Sequence, residues 1–525
     1  MAELASRALH IEHQEREHMD ELQMLGLDRS LAATPPVVDG RVFQRLYRYH
    51  LLPPPLQLLS DAVAVHLVTP EVRKQVFATG KWRHPSALGP CVRGNKLLAA
   101  IKDYVQTYEE NVSDLQDSAK QVAEALVLSG FISPVHEPEN EDSIVMYVSD
   151  KDYYELVAPG AQQIVAAGSR RGTGAAAAGE RRDESTARRQ NVKMSVWGVT
   201  DGATRAGAVF RKPNTMSPIL RFLQSLSLCG ARPREKRFYA VINKTKYHSL
   251  YLFSTDTARE ELTHLDLQDV MVQYEAGSAR APLYHGLKIW DDTHSEVLDF
   301  VSKTRQEEWL LALLDAGAKY KEANRDHDKW ASPDASFYSL TDADASGKRF
   351  LMEDLVGSVV LVVNVASKDP QAPLQYPELV TIADKYHDDG FTVLAFPSDQ
   401  FGGDGQEFDT DGEILSYLVQ AYKVNFPIMT KRDVNGLDAR DAFLYLNAHL
   451  PGSFGPFTEW NFTKFLIDRH GKPFKRYETS VLPQSLEADI RQLLESPVPE
   501  SVARQQQQQA PYAHVEVAVP KKENA

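Results

Sequence analysis

Cysteine is nearly missing from this sequence: two residues, Cys91 and Cys229, in a chain of 525. That excludes a disulfide framework and a four-cysteine zinc site, and it fits a reducing cytosolic compartment. Long apolar runs are missing as well. Runs such as Val359 to Val363 with its flanks fall far short of the ~20 residues that a membrane-spanning helix needs. The opening residues, MAELASRALHIEHQEREH, are charged throughout and lack the apolar centre of a secretory signal. An excess of positive charge is absent too. Fifty-eight Lys+Arg stand against 72 Asp+Glu, a formal net charge of −14, so a general nucleic-acid coat is excluded and nucleic acid is not an expected partner.

What is present is ordinary globular composition, with 43% hydrophobic and 25% charged residues. At roughly 100–200 residues per domain, the length predicts about three or four domains. Residues 1–56 read as a helical segment and a Pro-containing linker, TPPVV (34–38) and LPPPL (52–56). Residues 57–158 read as three helices followed by a short β element. Leu97, Leu98 and Ile101 form one apolar face, and Val122, Ala125 and Leu126 a second at i, i+3 and i+4. Residues 159–193 are an Ala/Gly/Ser/Arg linker with seven basic and three acidic residues. Such a segment gains roughly 1 kcal/mol per basic residue near an anionic leaflet, or serves only as a solubilising tether.

Residues 194–325 alternate short extended runs (AGAVFRK, RFYAVIN, SLYLFST, GLKIWDD) with turns. They end in one helix with Trp309, Leu310, Leu313 and Leu314 on a single face. That pattern predicts a small β-barrel capped by a helix. Residues 335–495 alternate strand and helix. SVVLVVNVA (358–366) suits a strand buried on both faces. PELVTIADKYHDDG (377–390) reads as a helix ended by glycine, FTVLAFP (391–397) as the next strand, and FTKFLIDRHGKPFKRY (462–477) as a hairpin. The layout is thioredoxin-like, a mixed central sheet with helices on both faces. Residues 496–525, with five consecutive glutamines at 505–509, read as a disordered tail.

Three resemblances sharpen this outline to a multidomain α+β and α/β chain. VRGNKLLAAIKDYV (92–105), SAKQVAEALVLSGFISPV (118–135) and SDKDYYELVAP (149–159) resemble a DEP domain, with Tyr153 and Tyr154 at its aromatic position. That implies a non-catalytic module docking on membranes or protein partners. KRFYAVI (236–242), YLF (251–253) and QEEWLLAL (306–313) resemble a pleckstrin-homology domain, with Trp309 as the buried tryptophan of its closing helix. In phosphoinositide-binding members, basic residues on the first strands converge on the headgroup. Arg211, Lys212, Arg234, Lys236 and Arg237 stand there in this chain, and several fixed cations suit a multiply phosphorylated headgroup. The resemblance thus implies phosphoinositides or other anionic lipids as partners and a cytoplasmic, peripherally membrane-bound location.

The third resemblance is the closest. SFYSLTDADASGKRF, VVNVAS, VLAFPSDQFGG, VNFPIM, DVNG and WNFTKFLID resemble the glutathione peroxidase family over about 160 residues. In that family NVAS is followed by one residue and then the peroxidatic cysteine or selenocysteine. Here the order is Asn364, Val365, Ala366, Ser367, Lys368, Asp369, so Asp369 stands where the nucleophile belongs. Gln400, Trp460 and Asn461 match the rest of the catalytic set. Ser398 and Asp399 replace the usual Cys-Asn pair, and the helix EILSYLVQAYK (413–423) has no resolving cysteine.

Such peroxidases work by thiolate or selenolate attack on the peroxide O–O bond, giving a sulfenic or selenenic acid that thiols reduce. A carboxylate is a poor nucleophile toward peroxide and has no comparable reversible oxidised state. The expectation is therefore a multi-module signalling or scaffold protein with an inactive peroxidase-like domain and no cofactor or metal. The alternative is an active hydroperoxide-reducing enzyme, with glutathione or thioredoxin as its reductant.

Overall fold

The computed structural model describes residues 37–78, 84–87, 89–108, 114–136, 148–157, 193–211, 237–278, 281–403 and 405–499. Residues 1–36, read as mostly helical, residues 159–192 of the basic linker, residues 500–525 of the Gln-rich tail, Cys229 and three of the five proposed lipid ligands, Lys212, Arg234 and Lys236, lie outside them. The described residues divide into two compact units, one built on residues 37–211 and 237–268, the other on residues 269–499.

In the first unit, helices Arg41–His50, Pro54–Leu67, Pro70–Val76, Gly94–Tyr108 and Leu115–Leu128 precede or surround a three-stranded antiparallel sheet. Its strand Tyr153–Leu156 lies between Cys91–Arg93 and Ile132–Pro134. Leu97, Ile101, Val122 and Leu126, assigned to apolar faces by their spacing, share one core with Val63, Leu67 and Phe131. Asp114 starts the Leu115–Leu128 helix by accepting from the backbone N–H groups of Gln116 and Asp117, both at 3.0 Å. The helix ends before Gly130, at φ 77°, where a Cβ would lie 2.2 Å from the Trp197 ring. Tyr153 and Tyr154 fall on opposite faces of their strand, as strand geometry requires; Tyr154 is buried and Tyr153 lies against His84.

Two expectations for the proline segments need correcting. LPPPL is not an extended spacer, because Pro54 and Pro55 open a helix. Proline suits that position, since the missing N–H has no intrahelical partner there. Within the expected linker, Arg41–His50 is helical and Val37–Val38 pairs in parallel with the strand Ala203–Arg211. That strand, Arg237–Asn243, Ser249–Phe253 and Glu261–Asp266 form an antiparallel meander.

The second unit begins with the antiparallel strands Met271–Ser278, Ala281–Trp290 and Ser295–Asp299. The helix Lys303–Asp315 follows, with the Ser302 side chain accepting from Arg305 N. Trp309, Leu310, Leu313 and Leu314 are buried on it. The strand Lys319–Tyr320 then pairs in parallel with Met271–Val272.

The C-terminal domain is a four-stranded mixed sheet. Val359–Val365 lies at its centre, parallel to Phe391–Pro397 and antiparallel to Lys464–Ile467, which pairs with Pro473–Tyr477. Every residue of the central strand is buried. Val359, Leu361, Val363 and Val365 face helices Ala372–Tyr386, Asp411–Tyr422 and Glu487–Leu494. Val360 and Val362 face the opposite layer, with Phe443, Leu444 and Leu446 of the helix Asp441–His449. This is the thioredoxin-like arrangement expected. One boundary differs: the helix placed at Pro377 starts at Ala372 and carries Pro377 inside it. A single missing i→i−4 hydrogen bond near the first turn does not outweigh the burial of Tyr376, Leu379 and Ile382.

Candidate functional site

Where the central strand ends, the chain must turn before the Ala372–Tyr386 helix. Asp369 makes that turn. Its carbonyl accepts from Ala372 N at 2.9 Å and its Oδ1 from Gln371 N at 2.7 Å. Its other oxygen, Oδ2, accepts from Asn461 Nδ2 at 3.0 Å. Asp369 is 3% exposed and Asn461 fully buried. The Asp369 carboxylate is thus a structural acceptor, gathering one backbone and one side-chain donor.

Asn461 is aimed there by its neighbours. Phe462 follows it at φ 61°, in the left-handed region that bulky residues avoid at a cost of about 1–3 kcal/mol. Its N–H donates to Asn364 O at 2.8 Å, and its ring packs edge-on against Tyr376 at 5.5 Å. Burial of both rings and the sheet hydrogen bond hold the unusual backbone. Close by, Lys464 is buried and donates to Phe462 O at 2.7 Å. Burial pulls its ammonium down to about 7, with only a small opposing pull from Glu378.

Gln400 follows a different course. Its Oε1 accepts from Val434 N at 2.7 Å and Asn435 N at 3.0 Å. Its Nε2 donates to Asn435 O and to Glu307 Oε1, both at 3.1 Å. A primary amide has two donor hydrogens and two acceptor lone pairs, and all four are engaged. None reaches Asp369. Trp460, the fourth member of the expected set, is half-buried with its ring 5.8 Å from Phe401, the residue after Gln400. Of the four positions, then, Asp369 and Asn461 are joined directly. Gln400 bonds the Val434–Asn435 segment instead, and Trp460 packs beside Phe401.

Glu307 and its surroundings went unmarked in the sequence. The residue lies on the Lys303–Asp315 helix, is 4% exposed, and accepts from Tyr274 Oη at 2.6 Å through its second oxygen. Burial pushes its carboxyl up to about 7, against the opposing effects of the Tyr274 hydrogen bond and Lys303. Around it Lys303 bridges Asp433 at 2.5 Å and Asp399 at 3.4 Å. Burial alone would lower the Lys303 ammonium; the two carboxylates raise it on balance. Asn324 Nδ2 donates to Leu437 O at 2.9 Å, the Tyr320 ring meets Phe457 at 4.8 Å, and a Cβ on Gly436 would lie 2.9 Å from the Tyr274 ring.

A signal for this contact existed in the sequence. Glu307, Leu310 and Leu314 share the i, i+3, i+7 stripe, so a glutamate sits on the helix's buried face. The DVNG segment, read only as a mark of resemblance, supplies the two backbone donors that hold Gln400.

Of the proposed lipid ligands, Arg211 and Arg237 are described. They end and begin paired strands, with Phe210 opposite Arg237, so both side chains start from one end of the hairpin. No helix among the described residues is long and apolar enough to cross a membrane.

The sequence model of the glutathione peroxidase family matches residues 337–447. A probable phospholipid hydroperoxide glutathione peroxidase of Helianthus annuus is 40% identical over 156 residues, covering 30% of this chain and 86% of that protein. The glutathione peroxidase-like peroxiredoxin 2 of Saccharomyces cerevisiae is 44% identical over 160 residues, again 30% of this chain and 97% of that one. The crystal structure of T. cruzi GPX1 has 36% sequence identity, covers 30% of this chain and 97% of its own, and gives a TM-score of 0.26.

Proposed function

Given that this chain belongs to the glutathione peroxidase family through its C-terminal domain, we propose that the domain is catalytically silent and serves as a docking module in a larger scaffold. One observation carries the reading. At the nucleophile's place stands a buried carboxylate whose oxygens hold Gln371 N and Asn461 Nδ2. Its oxygens act as a turn cap, and the atom that would form a sulfenic acid and be reduced again is not there. Gln400, Trp460 and Asn461 remain at their family positions without a thiolate to polarise.

The N-terminal modules give the scaffold its place. The DEP-like region, residues 57–158, docks on protein partners. The pleckstrin-homology-like region, residues 194–325, binds anionic lipid through Arg211, Lys212, Arg234, Lys236 and Arg237 and brings the protein to a cytoplasmic membrane surface. Supporting this, Arg211 and Arg237 stand at one end of a strand pair, on its opposite faces by register.

Loss of hydroperoxide with glutathione or thioredoxin as reductant, followed on the purified full chain, tests the first part. No turnover is expected. Turnover abolished by changing Gln400 or Trp460 would establish an active peroxidase instead. Sedimentation with phosphoinositide-containing vesicles tests the second part. Arg211, Lys212 and Lys236 changed together to Glu should abolish it, and unchanged binding would refute the headgroup site.

A further inference from the structure

We propose that Glu307 is an intramolecular latch: it fastens the Lys303–Asp315 helix to the Gln400 loop, keeps the Gln400 amide engaged there, and loosens as the solution becomes alkaline. This goes beyond the reading above and does not depend on whether the domain is silent.

The geometry is that of a lock with one key. Gln400 has four hydrogen bonds, and three run to its own domain, to Val434 N, Asn435 N and Asn435 O. The fourth crosses to Glu307 Oε1, whose other oxygen takes the Tyr274 hydroxyl. One carboxyl therefore ties a helix and a strand to the Gln400 loop. Without it, one amide hydrogen of Gln400 would be left unsatisfied in a buried site, at a cost that favours turning toward another acceptor.

The carboxyl's surroundings make its charge expensive. Its two direct donors, the Tyr274 hydroxyl and the Gln400 amide, are neutral. Tyr320, from the neighbouring short strand, adds another neutral phenol. The nearby acids are Asp433 and Asp399, and the nearby cation, Lys303, is bonded to both. A carboxylate in such a place is favoured in its neutral form. Its value of about 7 when docked exceeds the usual carboxylate range that it regains in water. Docking is therefore strongest below the ordinary glutamate range and weakens as pH rises through 7. Lys464 acts in the opposite sense on the domain as a whole, since its lowered ammonium makes the folded state gain stability above pH 7. A loosening with rising pH cannot come from that source.

Hydrogen exchange on the full chain, expressed as protection factors, reads the latch directly. The reporters are the amides of Val434 and Asn435, which Gln400 holds, and those of the Lys303–Asp315 helix. Between pH 5.5 and 8.5 their protection should fall at least tenfold, while that of the Val359–Val365 strand holds or rises. Glu307→Gln, which keeps the shape but cannot ionise, should abolish that pH dependence. Should Glu307→Gln fold poorly, the wild-type contrast between reporters and central strand still decides. A flat wild-type profile, a parallel fall in the central strand, or an unchanged slope in Glu307→Gln would each overturn the latch.

Discussion

Asn461 and Gln400, two of the expected site residues, are held in different ways. On one side, the turn after the central strand and the Trp460–Asn461–Phe462 segment keep a tight local geometry. Asn461 still points at residue 369, guided by a left-handed Phe462 and a hydrogen bond to Asn364. On the other side, Gln400 keeps its place in sequence but is fully engaged by its own loop and by Glu307. The first side is held by bonds within the domain. The second is held partly by a helix from the segment that precedes it. The Asp369 oxygens are thus engaged within the domain, and the Gln400 amide is engaged in part by Glu307.

The largest expected effect tests the first side. Lys464 is buried with a backbone carbonyl as its hydrogen-bond partner. Lys464→Met should raise stability at pH 7 by roughly 2–4 kcal/mol, because a buried ammonium is exchanged for an apolar chain of similar length. In the wild type, stability should rise between about 7 and the ordinary lysine value of 10.5, since there the unfolded chain holds a proton that the folded one lacks. Urea unfolding at several pH values checks both, and the variant should lose that slope. An unchanged slope would mean that water reaches Lys464 and that this side is looser than its hydrogen bonds imply.

A second experiment joins the two sides. Asp369→Cys restores a sulfur with Asn461 beside it, but burial raises a thiol's pKa and Gln400 is occupied elsewhere. Its thiolate absorbance should titrate at or above the ordinary value of about 8.5. Adding Glu307→Ala frees an amide hydrogen of Gln400 and should lower that titration by about one unit, a tenfold gain in thiolate. Equal titration in both variants would show that Gln400 stays on the Asn435 side whatever Glu307 does.

A third effect, of similar size, concerns the cap. Asp369→Ala removes acceptors for Gln371 N and Asn461 Nδ2 and should cost about 1–3 kcal/mol in urea unfolding. Asp369→Asn, which keeps one oxygen for Gln371 N, should cost less. If both variants match the wild type, the carboxylate is not the structural acceptor that distinguishes the first side.

The central strand was legible because Val359 to Val363 form a continuous apolar run within seven buried residues, as a strand covered on both faces requires. The site positions were legible through short motifs, each spanning a few residues. The LPPPL segment was misread because proline has two opposite uses, spacer and helix start, and only the packing of Val63 and Leu67 behind it selects the second. Pro377 misled in the same way. Neighbouring apolar residues kept the helix going through it.

What the sequence determined by itself is which atoms stand at these positions: an aspartate at 369, amides at Gln400 and Asn461, and no cysteine in the C-terminal domain. Covalent identity needs no folding. What only the tertiary structure decided is where those amides point. A hydrogen bond depends on a few tenths of an ångström and on which partner arrives first, and Glu307, 93 residues before Gln400, becomes that partner only once helix and domain have packed together.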